Sequence, residues 1–280
     1  MAAPFQHDVQ FQRLRTGQSE IDLADLLLEF AGDAYPQLDP AVSRDELERL
    51  QVRARSVLDR LGSDATLAAR LAAVGRLLQV DLGFHGNQDD YYDPRNSYLN
   101  DVLERRMGIP ISLAIVYMTV AGGAGLKVFG VSTPGHFMLG AHSVDGTLYL
   151  DPFEHGEVLS AEGCRRHIER RLGRPDTLVD EDLRPARHLE IAARVLRNLK
   201  AAYAMREQWE QVLPVQSRLA LLLPELSDEQ RDLGLVYLRT GHPCEALELF
   251  EAYLKVCQAD DAQTLNPYVR SARRMLAERN

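Results

Sequence analysis

Three segments of this chain carry residue types suited to acid–base or nucleophilic chemistry. The first is Gly108-Ile109-Pro110-Ile111-Ser112, which reads as the opening of a helix. The second is Pro134-Gly135-His136-Phe137 and the third is Leu150-Asp151-Pro152-Phe153. A thiol nucleophile is favoured at a helix N-terminus, where unpaired N–H groups face the thiolate. Its base is a histidine, held in one tautomer by a carboxylate. Helix, histidine strand and aspartate strand occur here in that order, but the helix opens on Pro110 and holds no thiol. Ser112 is rotated about 200° around the helix from residue 110, so its hydroxyl suits first-turn capping better than attack. Cys164 follows the aspartate strand, where no catalytic role is expected.

The pairing of His136 with Asp151 depends on strand register. With Ser143 to Gly146 as the hairpin loop, Asp151 faces Met138 and His136 is its diagonal neighbour, roughly 7 Å away. A two-residue turn at Asp145-Gly146 instead sets Asp151 against Gly140, too far from His136. The alternation alone permits both. A core histidine bonded to a backbone carbonyl is the plainer reading of His136, and a strand-ending turn that of Asp151-Pro152.

The elements that must position these groups are legible from periodicity. Ile21 to Ala31 predicts an amphipathic helix. Ser43-Arg44-Asp45-Glu46 forms a capping box with a Val42–Leu47 staple. The helix it opens is expected to bury Leu47, Leu50, Val57, Leu58 and Leu61 and to end at Gly62. A third helix is expected from about Ser63 to Leu78. Asp81 to Asn96 reads as an ordered loop, acidic and tyrosine-rich, and Asp89, Tyr91, Tyr92, Asn96 and Ser112 are candidate binding residues lining a cleft. The helix from Pro110, with proline at its first position, is apolar enough to be buried. Strands are expected at Lys127–Ser132, Gly135–Ala141 and Leu148–Leu150.

After Arg184-Pro185 the pattern is helical to the end and repeats at 34 residues. Leu233, Gly234, Tyr237, Ala246 and Phe250 fall at tetratricopeptide positions. Leu199, Tyr203 and Pro224 mark a degenerate first copy in which Val212 and Gln216 replace small and aromatic residues. Tyr237 and Phe250 are expected in the core, with Trp209 left open.

Several motifs resemble the transglutaminase-like fold, and more narrowly the bacterial SirB-type family, which joins that domain to a tetratricopeptide region. They are Asn96-Ser97-Tyr98-Leu99, Val102 through Ala114, the His136 tetrapeptide and Leu150-Asp151-Pro152. The resemblance spans roughly residues 20 to 276. It implies an α+β protein: a transglutaminase-like (papain-like) core with N-terminal helices, then an all-α tetratricopeptide-like region. The boundaries expected are 1–80, 81–184 and 185–280. In active relatives the helix reads Gly-X-Cys, with a small residue four positions on and a glycine eleven further. Ala114 and Gly125 meet that frame, which puts Pro110 at the nucleophile position and makes His136 and Asp151 a remnant dyad. The resemblance implies a non-catalytic, protein-binding or regulatory module. The alternative is a hydrolase or transferase using His136 and Asp151 without a cysteine, which requires His136 to face an open cleft.

Composition narrows the rest. The 280 residues carry a net charge of −9, which argues against a general nucleic-acid partner. Three cysteines without metal-type spacing read as reduced thiols. His136, His142 and His155 cluster in sequence, but no structural zinc pattern is present, so no cofactor or metal is expected. Without a leader or spanning segment, the expectation is a cytoplasmic protein that contacts no membrane and binds another protein through its C-terminal helices.

Overall fold

The computed structural model describes residues 5–18, 20–153, 157–175 and 178–278. The chain divides into two compact units after Val195.

The first unit opens with α1 (Val9–Arg15), α2 (Leu23–Gly32), α3 (Pro40–Leu61) and α4 (Leu67–Arg76). A π-turn (Leu77–Asp81) leads to a two-residue strand β1 (His85–Gly86) and a 3-10 turn (Pro94–Asn96). Next come α5 (Leu99–Arg105), β2 (Met107–Gly108) and α6 (Pro110–Gly123). Strands β3 (Phe129–Thr133), β4 (His136–Ser143), β5 (Gly146–Leu150) and β6 (Val158–Leu159) form one antiparallel sheet in that order. Helix α7 (Ala161–Leu172) and a 3-10 turn (Asp180–Leu183) follow, and α8 (His188–Met205) runs through the division. This is the α+β architecture expected.

Helix α6 is apolar all round, so it is buried rather than striped. Every residue from Pro110 to Tyr117 is buried, and the Tyr117 hydroxyl donates to the Leu71 carbonyl at 2.6 Å. Ile111, Leu113, Ile115 and Val116 each contribute about 1.5–3 kcal/mol by leaving water. Neighbours α2, α3, α4, α5 and β4 enclose the helix.

The structure departs from the local signals in three places. The capping box is not the start of α3: Asp39 caps it, accepting from Ala41 N at 2.9 Å, with Pro40 at the first position. Proline fixes a helical φ one turn earlier than the serine, so Ser43 is buried inside the helix and Val42, 67% exposed, staples nothing. Leu61 is likewise exposed, whereas Leu47, Leu50 and Leu58 are core. The third helix starts after Thr66, whose hydroxyl accepts from Ala69 N at 3.2 Å. Helix α7 has no counterpart among the expected elements, although Ser160 caps it and Gly173 ends it at φ +64°. Its apolar stripe is thin, Cys164, Ile168 and Leu172 at spacings of four, among four arginines and a histidine.

The second unit continues from α8 through α9 (Trp209–Leu222), α10 (Ser227–Arg239), α11 (Pro243–Tyr253) and α12 (Ala259–Ala277). Ala246 and Phe250 are fully buried, and Tyr237 packs partly buried against their cluster. In the degenerate copy Gln216 is buried and donates to the Glu229 carbonyl and carboxylate, which accounts for a polar residue in place of an aromatic one. Trp209 lies beneath the Arg239 guanidinium, 4.3 Å from the ring centroid.

A Cβ at Gly234 would stand 2.7 Å from Cε1 of the Phe250 ring. Overpacking of about 1–3 kcal/mol outweighs the gain of about 1 kcal/mol from replacing a helical glycine. Gly234→Ala is therefore expected to destabilise the second unit by about 1–2 kcal/mol. Trp209 is the single tryptophan, so its fluorescence during urea unfolding reads this unit; an unchanged or raised midpoint would contradict the close packing.

Candidate functional site

His136 is positioned by a tight turn. Pro134 and Gly135 link β3 to β4, with Gly135 at φ +67° where a side chain would be strained. Thr133 pairs with His136 across the hairpin, and its hydroxyl donates to the His136 carbonyl at 2.9 Å. Asp151 follows β5 directly. The hairpin closes with Ser143 paired to Gly146 and ends with Leu139 paired to Leu150. One step further sets Asp151 across from Met138, the register that makes His136 its diagonal neighbour.

The two groups meet. His136 Nε2 donates to Asp151 Oδ2 at 2.7 Å. His167 Nε2, from α7, donates to the same oxygen at 2.8 Å, and the Phe153 backbone N–H donates to Oδ1 at 2.8 Å. Cys164 and Ile168 anchor α7 to the sheet face formed by Val131, Met138 and Tyr149, and His167, one turn on from Cys164, is thereby turned toward Asp151. The expectation that nothing after the aspartate strand serves the site is thus corrected: α7 supplies its third group. The cap at Ser160, the four-residue stripe and Gly173 were the available signals.

A carboxylate accepting from both Nε2 atoms requires each imidazole to carry its proton there, an assignment made from the network. With both Nε2 protons directed at Asp151, Nδ1 is the ring nitrogen of His136 left to meet another group. That atom is buried and has no hydrogen-bond partner among the described residues. Burial by itself would raise the Asp151 carboxyl, but the hydrogen bonds from His136 and then His167 override it. They hold Asp151 well below the usual carboxylate range. The His136 side chain is only 1% exposed and that of Asp151 2%, whereas His167 is 17% exposed. The Phe153 ring packs edge-on to His136 at 6.2 Å. An open cleft over His136, required by the water-activating alternative, is not what this burial provides.

Of the other expected residues, Asn96 and Ser112 are completely buried. The Ser112 hydroxyl donates to the Asn96 carbonyl at 2.6 Å and accepts from the Ile109 backbone N–H at 3.1 Å. The Asn96 amide donates to the carbonyls of Asp90 and Tyr91 at 2.8 and 3.2 Å. Both therefore hold the loop against the start of α6, their polar atoms spent internally instead of lining a cleft. Asp89, Tyr91 and Tyr92 are exposed, and the two tyrosine rings meet edge-on at 5.4 Å. Pro110 is buried at the first position of α6. Cys164 is fully buried and its thiol is pushed up to about 12 by burial, with the Asp151 charge adding to the effect, so it is not a thiolate at neutral pH.

His136, Asp151 and His167 offer ligand atoms within 4.8 Å of one another and are the described residues able to hold a metal ion. Their nitrogen–oxygen separations are those of direct hydrogen bonds, and His136 Nδ1 lacks the partner that orients most metal-bound imidazoles. The set fits a hydrogen-bonded carboxylate better than a metal. His155 lies outside the described residues.

Because the folded Asp151 carboxyl is depressed below its unfolded value near 4, the folded state binds fewer protons. Its stabilisation is complete above about pH 5 and is lost as pH falls through 4 and below. Asp151→Asn is expected to lower stability at pH 7 by about 2–3 kcal/mol, the size of charge-assisted bonds lost, with the gap to wild type closing toward pH 3. Unfolding curves across this range check it; a gap equal at pH 7 and pH 3 would refute the depressed carboxyl.

Comparison with known proteins agrees with this architecture. The profile of the transglutaminase-like superfamily matches residues 42–197, and that of the tetratricopeptide repeat matches residues 199–277. A UPF0162 protein of Xylella fastidiosa (strain Temecula1) is 38% identical over 239 residues, 84% of each chain. The UPF0162 protein YchA of Escherichia coli K12 is 30% identical, covering 77% of this chain and 79% of its own length. Protein SirB1 of Salmonella typhimurium is 28% identical over the same shares. No solved structure matches significantly. The chain therefore belongs to the transglutaminase-like superfamily, within the bacterial UPF0162 and SirB1 group, with tetratricopeptide repeats after that domain.

Proposed function

We propose that this protein is a non-catalytic transglutaminase-like scaffold that binds another protein and regulates it, with the tetratricopeptide helices as the partner surface. One observation carries the reading: the helix start that a cysteine nucleophile would occupy holds Pro110, buried and without an ionisable atom, in a chain that keeps the His136–Asp151 pair. In a working triad the imidazole nitrogen not bound to the carboxylate receives the nucleophile's proton. Here that atom is His136 Nδ1, and it has no hydrogen-bond partner among the described residues. A buried polar atom without a partner costs about 1–3 kcal/mol, which supports reading the site as one whose third member is missing. Ser112 and Cys164 do not replace it, the first because its hydroxyl is already committed and the second because its thiol stays protonated. Tetratricopeptide helix pairs serve protein–protein contact in general, which supports a protein partner.

The alternative, a hydrolase or transferase using His136 and Asp151 without a cysteine, is favoured only by that same unpartnered nitrogen. It suffers from the burial of the ring.

Purified protein is expected to show no turnover on panels of amides, esters and peptides. Turnover abolished by His136→Ala would overturn the reading. Conversely, Pro110→Cys should restore the missing donor. Its thiol is expected to alkylate with iodoacetamide at pH 6 at least tenfold faster than in Pro110→Cys/His136→Ala, with the site read by peptide mass spectrometry. Equal rates would mean that residue 110 does not face His136.

A further inference from the structure

Arg194 lies on α8 within the first unit and is held in an arrangement uncommon for an arginine. Its Nη1 donates to Ser132 Oγ and to the Thr133 carbonyl, each at 2.8 Å. The guanidinium carbon stands 5.8 Å from the centroid of the Phe137 ring. Neither contact brings negative charge. Burial lowers this guanidinium from its usual value, opposed only by the Tyr91 hydroxyl, which is neutral at physiological pH. No carboxylate pairs with Arg194 among the described residues.

Both hydrogen bonds use one arm of the fork. Nε and Nη2 form the side-on edge, with parallel N–H bonds, and no described residue accepts from them. Arg194 is partly exposed, and neither atom belongs to the buried unpartnered set, so this edge reaches solvent. The group is immobilised by its other arm and by the ring, while its bidentate edge stays open. A planar carboxylate fits that edge with two parallel bonds.

The edge belongs to the His136 region. Thr133, whose carbonyl Arg194 holds, pairs with His136 across the β3–β4 hairpin. Tyr91 lies within electrostatic reach of both Arg194 and Arg171. The Arg171 guanidinium in turn sits 5.6 Å from the centroid of the Phe153 ring that packs on His136.

We propose that Arg194 is the ligand-binding residue of this region and takes an organic carboxylate through Nε and Nη2. The proposal goes beyond the scaffold reading by naming a ligand class for the first unit. Its test is binding, so a His136-dependent turnover would overturn the non-catalytic reading while leaving this assignment standing.

The full chain is titrated by calorimetry with N-acetylglycine, with N-acetylglycinamide as the same molecule lacking the carboxylate, and with inorganic phosphate as a different anion. Histidine ring resonances are followed by NMR. Saturable binding of N-acetylglycine that shifts the His136 resonances is expected, with the amide and phosphate at least tenfold weaker. Arg194→Lys keeps the charge but loses the fork, and should weaken N-acetylglycine at least tenfold. Should that variant fold poorly, Ser132→Ala frees the anchored arm and is expected to weaken binding severalfold. Equal binding of the amide or phosphate, unchanged affinity in these variants, or no saturable binding of N-acetylglycine would overturn the assignment.

Discussion

The buried carboxylate of Asp151 is the interaction around which the first unit is organised. An ionised group this far from water is tolerated only when paired and hydrogen-bonded. Three donors from three places meet that need: His136 at the start of β4, His167 on α7, and the Phe153 backbone just past Asp151 itself. Each can reach only if its own element is placed correctly. The Pro134-Gly135 turn sets the first, the Cys164–Ile168 stripe against the sheet sets the second, and the turn at Asp151-Pro152 sets the third. The site is thus a structural tie between hairpin and helix.

A carboxylate that accepts from two imidazoles and pins α7 is held in place by folding, whatever stands at residue 110. Around this tie the burial is nearly complete, so any ligand must be met at the margin, where His167, Tyr91 and the open edge of Arg194 reach solvent.

Helix α6 shows why some of the architecture was readable in advance. Its run of apolar residues from Ile111 to Val116 has no polar face, and such a helix has only one place to go. The hairpin was readable in outline, since alternation marked strands at Lys127–Ser132, Gly135–Ala141 and Leu148–Leu150, while the turn chemistry of Asp145-Gly146 left its register open. Tetratricopeptide positions repeat, so Gly234, Ala246 and Phe250 identified themselves. Where two local signals competed, as at Pro40 and Ser43, the reading failed, because a cap is chosen by which residue the preceding chain leaves extended. Helix α7 failed because arginines outnumber its buried residues, and a stripe of three is faint until a sheet face exists to receive it.

The sequence by itself determined the fold class, the order of helix, histidine strand and aspartate strand, and the absence of a thiol at residue 110, because these depend on residue identity and short-range periodicity. Only the tertiary structure decided the hairpin register that joins His136 to Asp151, the entry of His167, the burial of Asn96 and Ser112, and the open edge of Arg194. Those depend on where distant segments stop relative to one another. A one-residue slip in pairing, or a quarter turn of α7, would leave every local preference satisfied and the carboxylate without its donors.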